Sequence, residues 1–253
     1  MIVLRALLFN LGYFGFTAVL AVIGLPALLR RRWAVAYARF WTGLILGWLK
    51  LTVGLDHQFR GLENLPEGAY ILAPKHQSSW DTLVLNHLVR DPAVVLKREL
   101  TRIPVFGWYL SRVGNIVIDR KAGPNAIRRL VSQGRAVVAQ GRPIVIFPEG
   151  TRGPVGGKLP YQPGVAALYA QLGVPLVPVA LNSGPFWGRL TFLKRPGRIT
   201  VEILPPIAPG LDRRHVLAEL ELRVESATTR LLAEVGHPAG PVDNTVENAA
   251  ARG

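Results

Sequence analysis

Residues 70–89 read YILAPKHQSSWDTLVLNHLV, and the spacing of the apolar residues changes within that run. Tyr70 to Ala73 is a short continuous apolar block closed by Pro74, which predicts a buried strand, whereas Trp80 to Val89 carries its apolar residues at helical spacing. A buried strand feeding a helix through a polar loop is the unit from which α/β sheets are built. The loop between them, Lys75-His76-Gln77-Ser78-Ser79, leaves the strand's carboxyl end, and Ser78 or Ser79 can cap the helix.

The alternation continues toward the C-terminus. Val94–Leu96 and Ile116–Ile118 predict strands, Asn125–Gln140 a helix, Ile144–Phe147 a strand, Gly164–Leu172 a helix and Leu176–Leu181 a strand. Ile199–Leu204 adds a strand stopped by Pro205 and Pro206, and a last helix is expected from Asp212 to about Glu234. From Gly236 the chain is rich in Pro, Gly, Ala and Asn and is expected to be disordered. The 253 residues suffice for one α/β domain with an appendage, and no internal repeat or long linker divides it. The expected organisation is helical membrane attachment over 1–54, an α/β domain over 55–235 and a tail over 236–253.

Toward the N-terminus, Ala6 to Leu29 carries no charge, and at about 1.5 Å per residue it is long enough to cross a roughly 30 Å hydrocarbon layer. Arg30, Arg31 and Arg32 follow, which by the positive-inside rule places that end at the cytoplasmic face. Phe40–Leu49, between Arg39 and Lys50, is too short to cross and reads as interfacial; Trp33, Tyr37, Trp41 and Trp48 fit rings at headgroup level. The competing reading makes both stretches helices packed on the soluble domain.

Composition narrows the chemistry. The net charge of +14 favours an anionic partner: a lipid headgroup surface, a phosphorylated substrate or nucleic acid. With no cysteine there is no disulfide, zinc-thiolate site or cysteine nucleophile. No G-x-S-x-G elbow occurs, which removes the usual serine hydrolase. The glycine-rich run from Gly153 to Lys158 fails as a P-loop, because Arg152 stands where the first glycine is needed and Leu159 follows Gly157-Lys158.

His76 and Asp81 are spaced so that a tight turn brings the carboxylate back to the imidazole. It would fix the tautomer and stabilise the imidazolium of a general base. The other histidines, at positions 57, 87, 215 and 237, have no aspartate at that spacing. A second polar cluster, Phe147-Pro148-Glu149-Gly150-Thr151-Arg152, follows the apolar strand residues Ile144–Ile146, so it emerges where open α/β sheets bind ligands. There Arg152 can clasp phosphate bidentately, Gly150 lets backbone approach closely, and Glu149 can bind a hydroxyl or hold Arg152; an incidental ion pair on a solvated turn fits as well. Gly114–Asp119 adds a strand ending in Arg120 and Lys121.

Taken in order, KHQSSWD, GNIVIDR, FPEGTR and the strand Val177-Pro178-Val179 resemble the glycerolipid acyltransferase family, most closely the 1-acylglycerol-3-phosphate acyltransferases, over about Leu62 to Pro206. The resemblance implies an α/β fold with a central mixed sheet flanked by helices. It implies His76 as base, Asp81 as its partner, and Arg120, Glu149 and Arg152, with Gly150 and Thr151 in the same turn, holding the glycerol phosphate. It further implies direct transfer from acyl-CoA or acyl carrier protein to a lysophospholipid hydroxyl at a membrane, without cofactor, metal or nucleic acid. Glycerol 3-phosphate, another lysophospholipid and a lyso-amino-acid lipid are alternative acceptors; a non-catalytic basic membrane-binding protein is the reading from another class. One departure is Lys75, where the family commonly has asparagine: a cation there would oppose the imidazolium or help hold phosphate.

Overall fold

The computed structural model describes residues 1–119 and 122–237. Two helices come first, α1 (Ile2–Ile23) and α2 (Arg31–Val53), joined by a 3-10 turn at Leu25–Leu29. There follow β1 (Leu55–Arg60), β2 (Ile71–Pro74), α3 (Trp80–Leu88), β3 (Ala93–Lys97), α4 (Phe106–Arg112), β4 (Ile116–Ile118) and α5 (Pro124–Val138). The chain continues through β5 (Ile144–Val145), α6 (Pro163–Leu172), β6 (Leu176–Leu181), β7 (Gly197–Ile203) and α7 (Arg213–Ala233). Most of the tail read as disordered, residues 238–253, lies outside the described residues.

The strands form one seven-stranded sheet in the order β1-β7-β6-β2-β5-β3-β4. Every neighbouring pair is parallel except β6–β7, so the sheet is mixed, as the resemblance implies. Register divides the core by residue parity. Ile71 pairs with Ile144 and with Leu176, and these three pack against Leu130, Leu168 and Leu220 of α5, α6 and α7. Their neighbours Leu72, Val145 and Val177 turn the other way, onto Leu49, Val84 and Leu85 of α2 and α3. Each such side chain, fully buried, contributes about 1.5–3 kcal/mol.

The N-terminal helices depart from the sequence reading. The apolar run does not continue as one helix to Leu29: α1 ends at Ile23, before Pro26, which has no N–H for a continuing ladder. The segment read as a short interfacial stretch is part of the 23-residue α2, which turns Ile45, Leu46, Leu49 and Val53 into the core and stops at left-handed Gly54. Three of the four rings assigned to headgroups hold α1 instead. Tyr37 Oη donates to Leu20 O, Trp41 Nε1 donates to Thr17 Oγ1, and Trp48 meets Phe16 edge-on at 5.3 Å between centroids. Only Trp33 of the four is exposed. The close approach requires Gly12, where a Cβ would lie 2.1 Å from Trp48 Nε1. Strand β1 had no prediction at all; as an edge strand with one fully buried residue, it alternates too weakly to be read.

Candidate active site

Strands β5, β2 and β6 lie side by side and parallel, and the polar segments that follow all three meet at their carboxyl ends. The His76 loop leaves β2, the Phe147–Arg152 turn leaves β5, and Asn182-Ser183-Gly184 leaves β6. Lys75 N donates to Val179 O at 2.9 Å and Gly153 N to His76 O at 2.8 Å, so the central loop is held from both sides.

The predicted histidine–aspartate pair forms. His76 Nδ1 lies 3.0 Å from Asp81 Oδ2. The same oxygen accepts from the Gln77 and Ser78 backbone N–H groups at 2.7 and 2.8 Å, the tight turn that the five-residue spacing demands. Asp81 Oδ1 accepts from Ser183 Oγ at 2.5 Å, and the carboxylate is fully buried. With Asp81 on Nδ1, the bond assigns the Nδ1–H tautomer and leaves Nε2 with its lone pair and no partner among the described residues. The imidazole stacks on Phe147 at 3.9 Å between centroids, and its side chain is 14% exposed, which keeps one edge open. Ser78 rather than Ser79 supplies the helix-end bond, accepting from Trp80 N at 3.1 Å.

The β5 turn departs from expectation at its glutamate. The Glu149 side chain has no exposed surface: Oε1 accepts from Lys75 Nζ at 2.7 Å, and Oε2 accepts from the His76 backbone N–H at 3.1 Å. It neither faces the open side of the site nor holds Arg152. Lys75 in turn does not face outward for phosphate. Its ammonium is fully buried and also paired at 2.8 Å with Glu225 of α7, whose Oε1 accepts from Tyr161 Oη as well. Burial pushes the Glu149 carboxyl up, against the pull of the Lys75 ammonium and the His76 N–H. Burial among these carboxylates raises the Tyr161 phenol too.

Arg152 does reach the site. Its Nη1 donates to Ser79 Oγ at 2.6 Å, the side chain is half-buried, and it has no carboxylate partner among the described residues. A guanidinium so placed, beside the histidine loop, keeps donors for an anion. Gly150 takes the left-handed conformation the turn needs, at φ 67°, and Thr151 is exposed. Arg120 lies outside the described residues; Asp119 just before it is bound by Arg98 at 2.9 Å.

Sequence reasoning missed Ser183, Glu225 and Gln77. The Gln77 Oε1 accepts from Gly184 N at 3.0 Å and ties the β2 and β6 loops together. The arrangement offers a general base with a fixed tautomer, a nearby cation that no carboxylate binds among the described residues, and a buried charge cluster under the loop. It has the parts for proton abstraction from a hydroxyl on an anionic substrate.

Comparison with known proteins places the chain in a family. A family model described as Acyltransferase matches residues 56–182. The 1-acyl-sn-glycerol-3-phosphate acyltransferase of Pseudomonas aeruginosa is 38% identical over 189 residues, 74% of each chain. The Saccharomyces cerevisiae protein of the same name is 29% identical over 206 residues, 78% of this chain and 67% of its own. The crystal structure of the LPA acyltransferase PlsC from Thermotoga maritima superposes with a TM-score of 0.77, covering 92% of this chain and 98% of that one; at 24% identity it speaks to the fold.

Proposed function

The chain belongs to the acyltransferase family, and we propose that it acylates the sn-2 hydroxyl of 1-acyl-glycerol 3-phosphate from a thioester donor, acyl-CoA or acyl carrier protein, to give phosphatidate. The observation that carries the mechanism is the 3.0 Å pair of His76 Nδ1 and Asp81, which leaves Nε2 without a partner among the described residues. His76 Nε2 takes the hydroxyl proton as the alkoxide attacks the thioester carbonyl. Asp81 stabilises the imidazolium, and the departing thiolate takes the proton back from Nε2 as the carbonyl reforms. A thioester is already activated, so no covalent enzyme intermediate is needed, consistent with a chain that has no cysteine. Arg152 supplies the phosphate contact and holds the acceptor for attack, and the family resemblance adds Arg120 and Thr151 to that role. Glu149 acts from beneath, by fixing the backbone of His76. The acceptor rests on the names of the relatives at 38% and 29% identity.

Among the described residues, α1 is the one helix long and apolar enough to cross a membrane, and most of it is exposed. In this reading it attaches the enzyme without spanning. Contacts with the domain and α2 run from buried Ala6 to Ala21, whose carbonyl accepts from Tyr109 Oη, about 22 Å of helix at 1.5 Å per residue. A helix upright in the bilayer would drag that flank of the domain into hydrocarbon. Lying flat, α1 sets its exposed face into one leaflet, with Arg30 and Arg32 at the anionic cytoplasmic surface and Arg31 turned inward to Asp91.

The test is phosphatidate formation from labelled acyl-CoA and lysophosphatidate by detergent-purified protein, compared with His76→Ala. Loss of at least about 10²-fold in kcat with folding intact is expected. Full activity in the mutant would refute the mechanism, and preference for glycerol 3-phosphate or another lysolipid would refute the acceptor.

A further inference from the structure

Between β6 and β7 the chain leaves the sheet in a closed loop. Its base is fastened where Arg195 N donates to Phe186 O at 2.9 Å, and buried Trp187 anchors it, its ring edge-on to Phe9 of α1 at 5.2 Å. Beyond this anchor the loop is turned inside out. Leu190 at its tip is 82% exposed, with Phe192 at 50% and Leu193 at 42%, while the next residue, Lys194, is 4% exposed. Leu190 adopts a left-handed backbone at φ 56°, a conformation that a leucine takes at a cost. A folded chain in water has no reason to present three large apolar residues while burying a lysine among aromatic rings.

The buried lysine explains the arrangement. Lys194 Nζ donates to Asn10 Oδ1 at 3.2 Å and to the carbonyls of Thr191 and Phe192, and lies 4.9 Å from the Trp187 ring centroid. Asn10 answers by donating from Nδ2 to Phe192 O at 3.2 Å. Asn10 is one of the few polar residues of α1, and its position there is accounted for by this clasp. Burial draws the Lys194 pKa down to about 8. The clasp sets the loop tip against α1 at Asn10. One turn to either side on that helix, Leu7 and Phe14 are exposed, 44% and 66%. Arg189 and Arg195, both exposed, flank the tip.

From this juxtaposition we infer that the 189–195 loop is a second membrane-inserting element, which extends the apolar face of α1 into a bilayer through Leu190, Phe192 and Leu193 while Arg189 and Arg195 meet anionic headgroups. The inference rests on the membrane attachment of α1 proposed above. Its occupant is a lipid surface, because the apolar tip is continuous with the exposed face of a helix suited to hydrocarbon and the flanking charges match anionic lipid.

The absence of native cysteine makes a direct test available. Full-length protein carrying Leu190→Cys, labelled with an environment-sensitive fluorophore, is mixed with phosphatidylcholine–phosphatidylglycerol vesicles containing bromine at defined acyl depths. The control is Ser132→Cys on α5, across the sheet. A blue shift and quenching by brominated acyl chains at position 190 but not 132 is expected. In sedimentation, Leu190→Asp/Phe192→Asp is expected to partition about tenfold more weakly than wild type. Both positions are exposed, and equal circular dichroism and thermal midpoint show that folding is kept. If wild type binds vesicles while the label at 190 stays aqueous and the double variant binds equally, the loop proposal is overturned and α1 attachment stands. If wild type does not bind at all, the attachment reading falls and takes the loop with it.

Discussion

Ser183 Oγ donates to Asp81 Oδ1 at 2.5 Å across 102 residues of chain, and so couples the end of β6 to the orientation of His76. The bond leaves Asp81 Oδ2 to the histidine and the two turn amides. Ser183→Ala removes one positioning contact and no group that touches substrate. It is expected to lower kcat about tenfold with KM for lysophosphatidate unchanged, and to alter the acidic limb of the pH–rate profile. Ser183→Thr, which keeps the hydroxyl, should recover most of the loss. An unchanged kcat in the alanine variant would remove Ser183 from the machinery.

The Lys75–Glu149–Glu225 cluster yields a prediction about stability and a diagnostic about mechanism. Lys75→Met leaves two carboxylates facing each other, one with no exposed surface, and should cost about 3–5 kcal/mol in chemical denaturation. Adding Glu225→Gln should recover part of it, a coupling that a double-mutant cycle measures. The variant is expected to lose kcat with little change in KM, whereas a lysine that gripped phosphate would show the loss in KM.

The same cluster sets a pH dependence. Burial raises the Glu149 carboxyl above its unfolded value, so the folded state binds more protons than the unfolded state there. Its contribution to stability is present below the unfolded carboxylate range and is lost as pH rises through the folded value. Without the Lys75 ammonium the folded value rises further, and Lys75→Met should lose stability over a wider span of rising pH than wild type.

Lys194 gives the opposite slope. Its folded pKa of about 8 lies below the ordinary lysine value of 10.5, so between those values the unfolded state binds more protons and stability rises with pH. Thermal midpoints in detergent should climb across that window in wild type. Lys194→Met should flatten the climb, and an unaltered profile would mean that the clasp lysine is hydrated.

Gly12 governs the helical pair. Gly12→Ala places a Cβ against the Trp48 indole of α2, whose ring also meets Phe16 of α1 edge-on. Limited proteolysis should cut between α1 and α2 in the variant under conditions that leave wild type intact. Gly15, with open space where its Cβ would point, is the control and should tolerate alanine.

These residues also mark how far the sequence could be read. Ile71/Leu72 and Ile144/Val145 were legible as buried strand residues because they lie in short continuous apolar runs. His76, Asp81 and Arg152 were legible because each lies within a few residues of a strand end. Ser183 and Glu225 were not, since their partners are set by tertiary register between β2, β6 and α7, which leaves no local periodicity. A polar triplet directly after β6, beside the β2 loop, was the only available signal for Ser183. Lys75 was noticed as a charge out of place, but its two carboxylates belong to distant elements. Segment 40–49 was read short because Arg39 and Lys50 bracket it in the linear sequence; on a helix both sit on the exposed side of an uninterrupted buried stripe.

The clasp between Asn10 and Lys194 has a temporal meaning as well. Its partners are 184 residues apart, and at about 5–20 residues per second a ribosome needs roughly ten to forty seconds between making one and the other. During that interval the apolar surface of α1 has been synthesised and its dock on Trp187 has not. Until Trp187 is made, α1 has the Tyr37, Trp41 and Trp48 rings of α2 to pack on, and its Phe9 face stays uncovered.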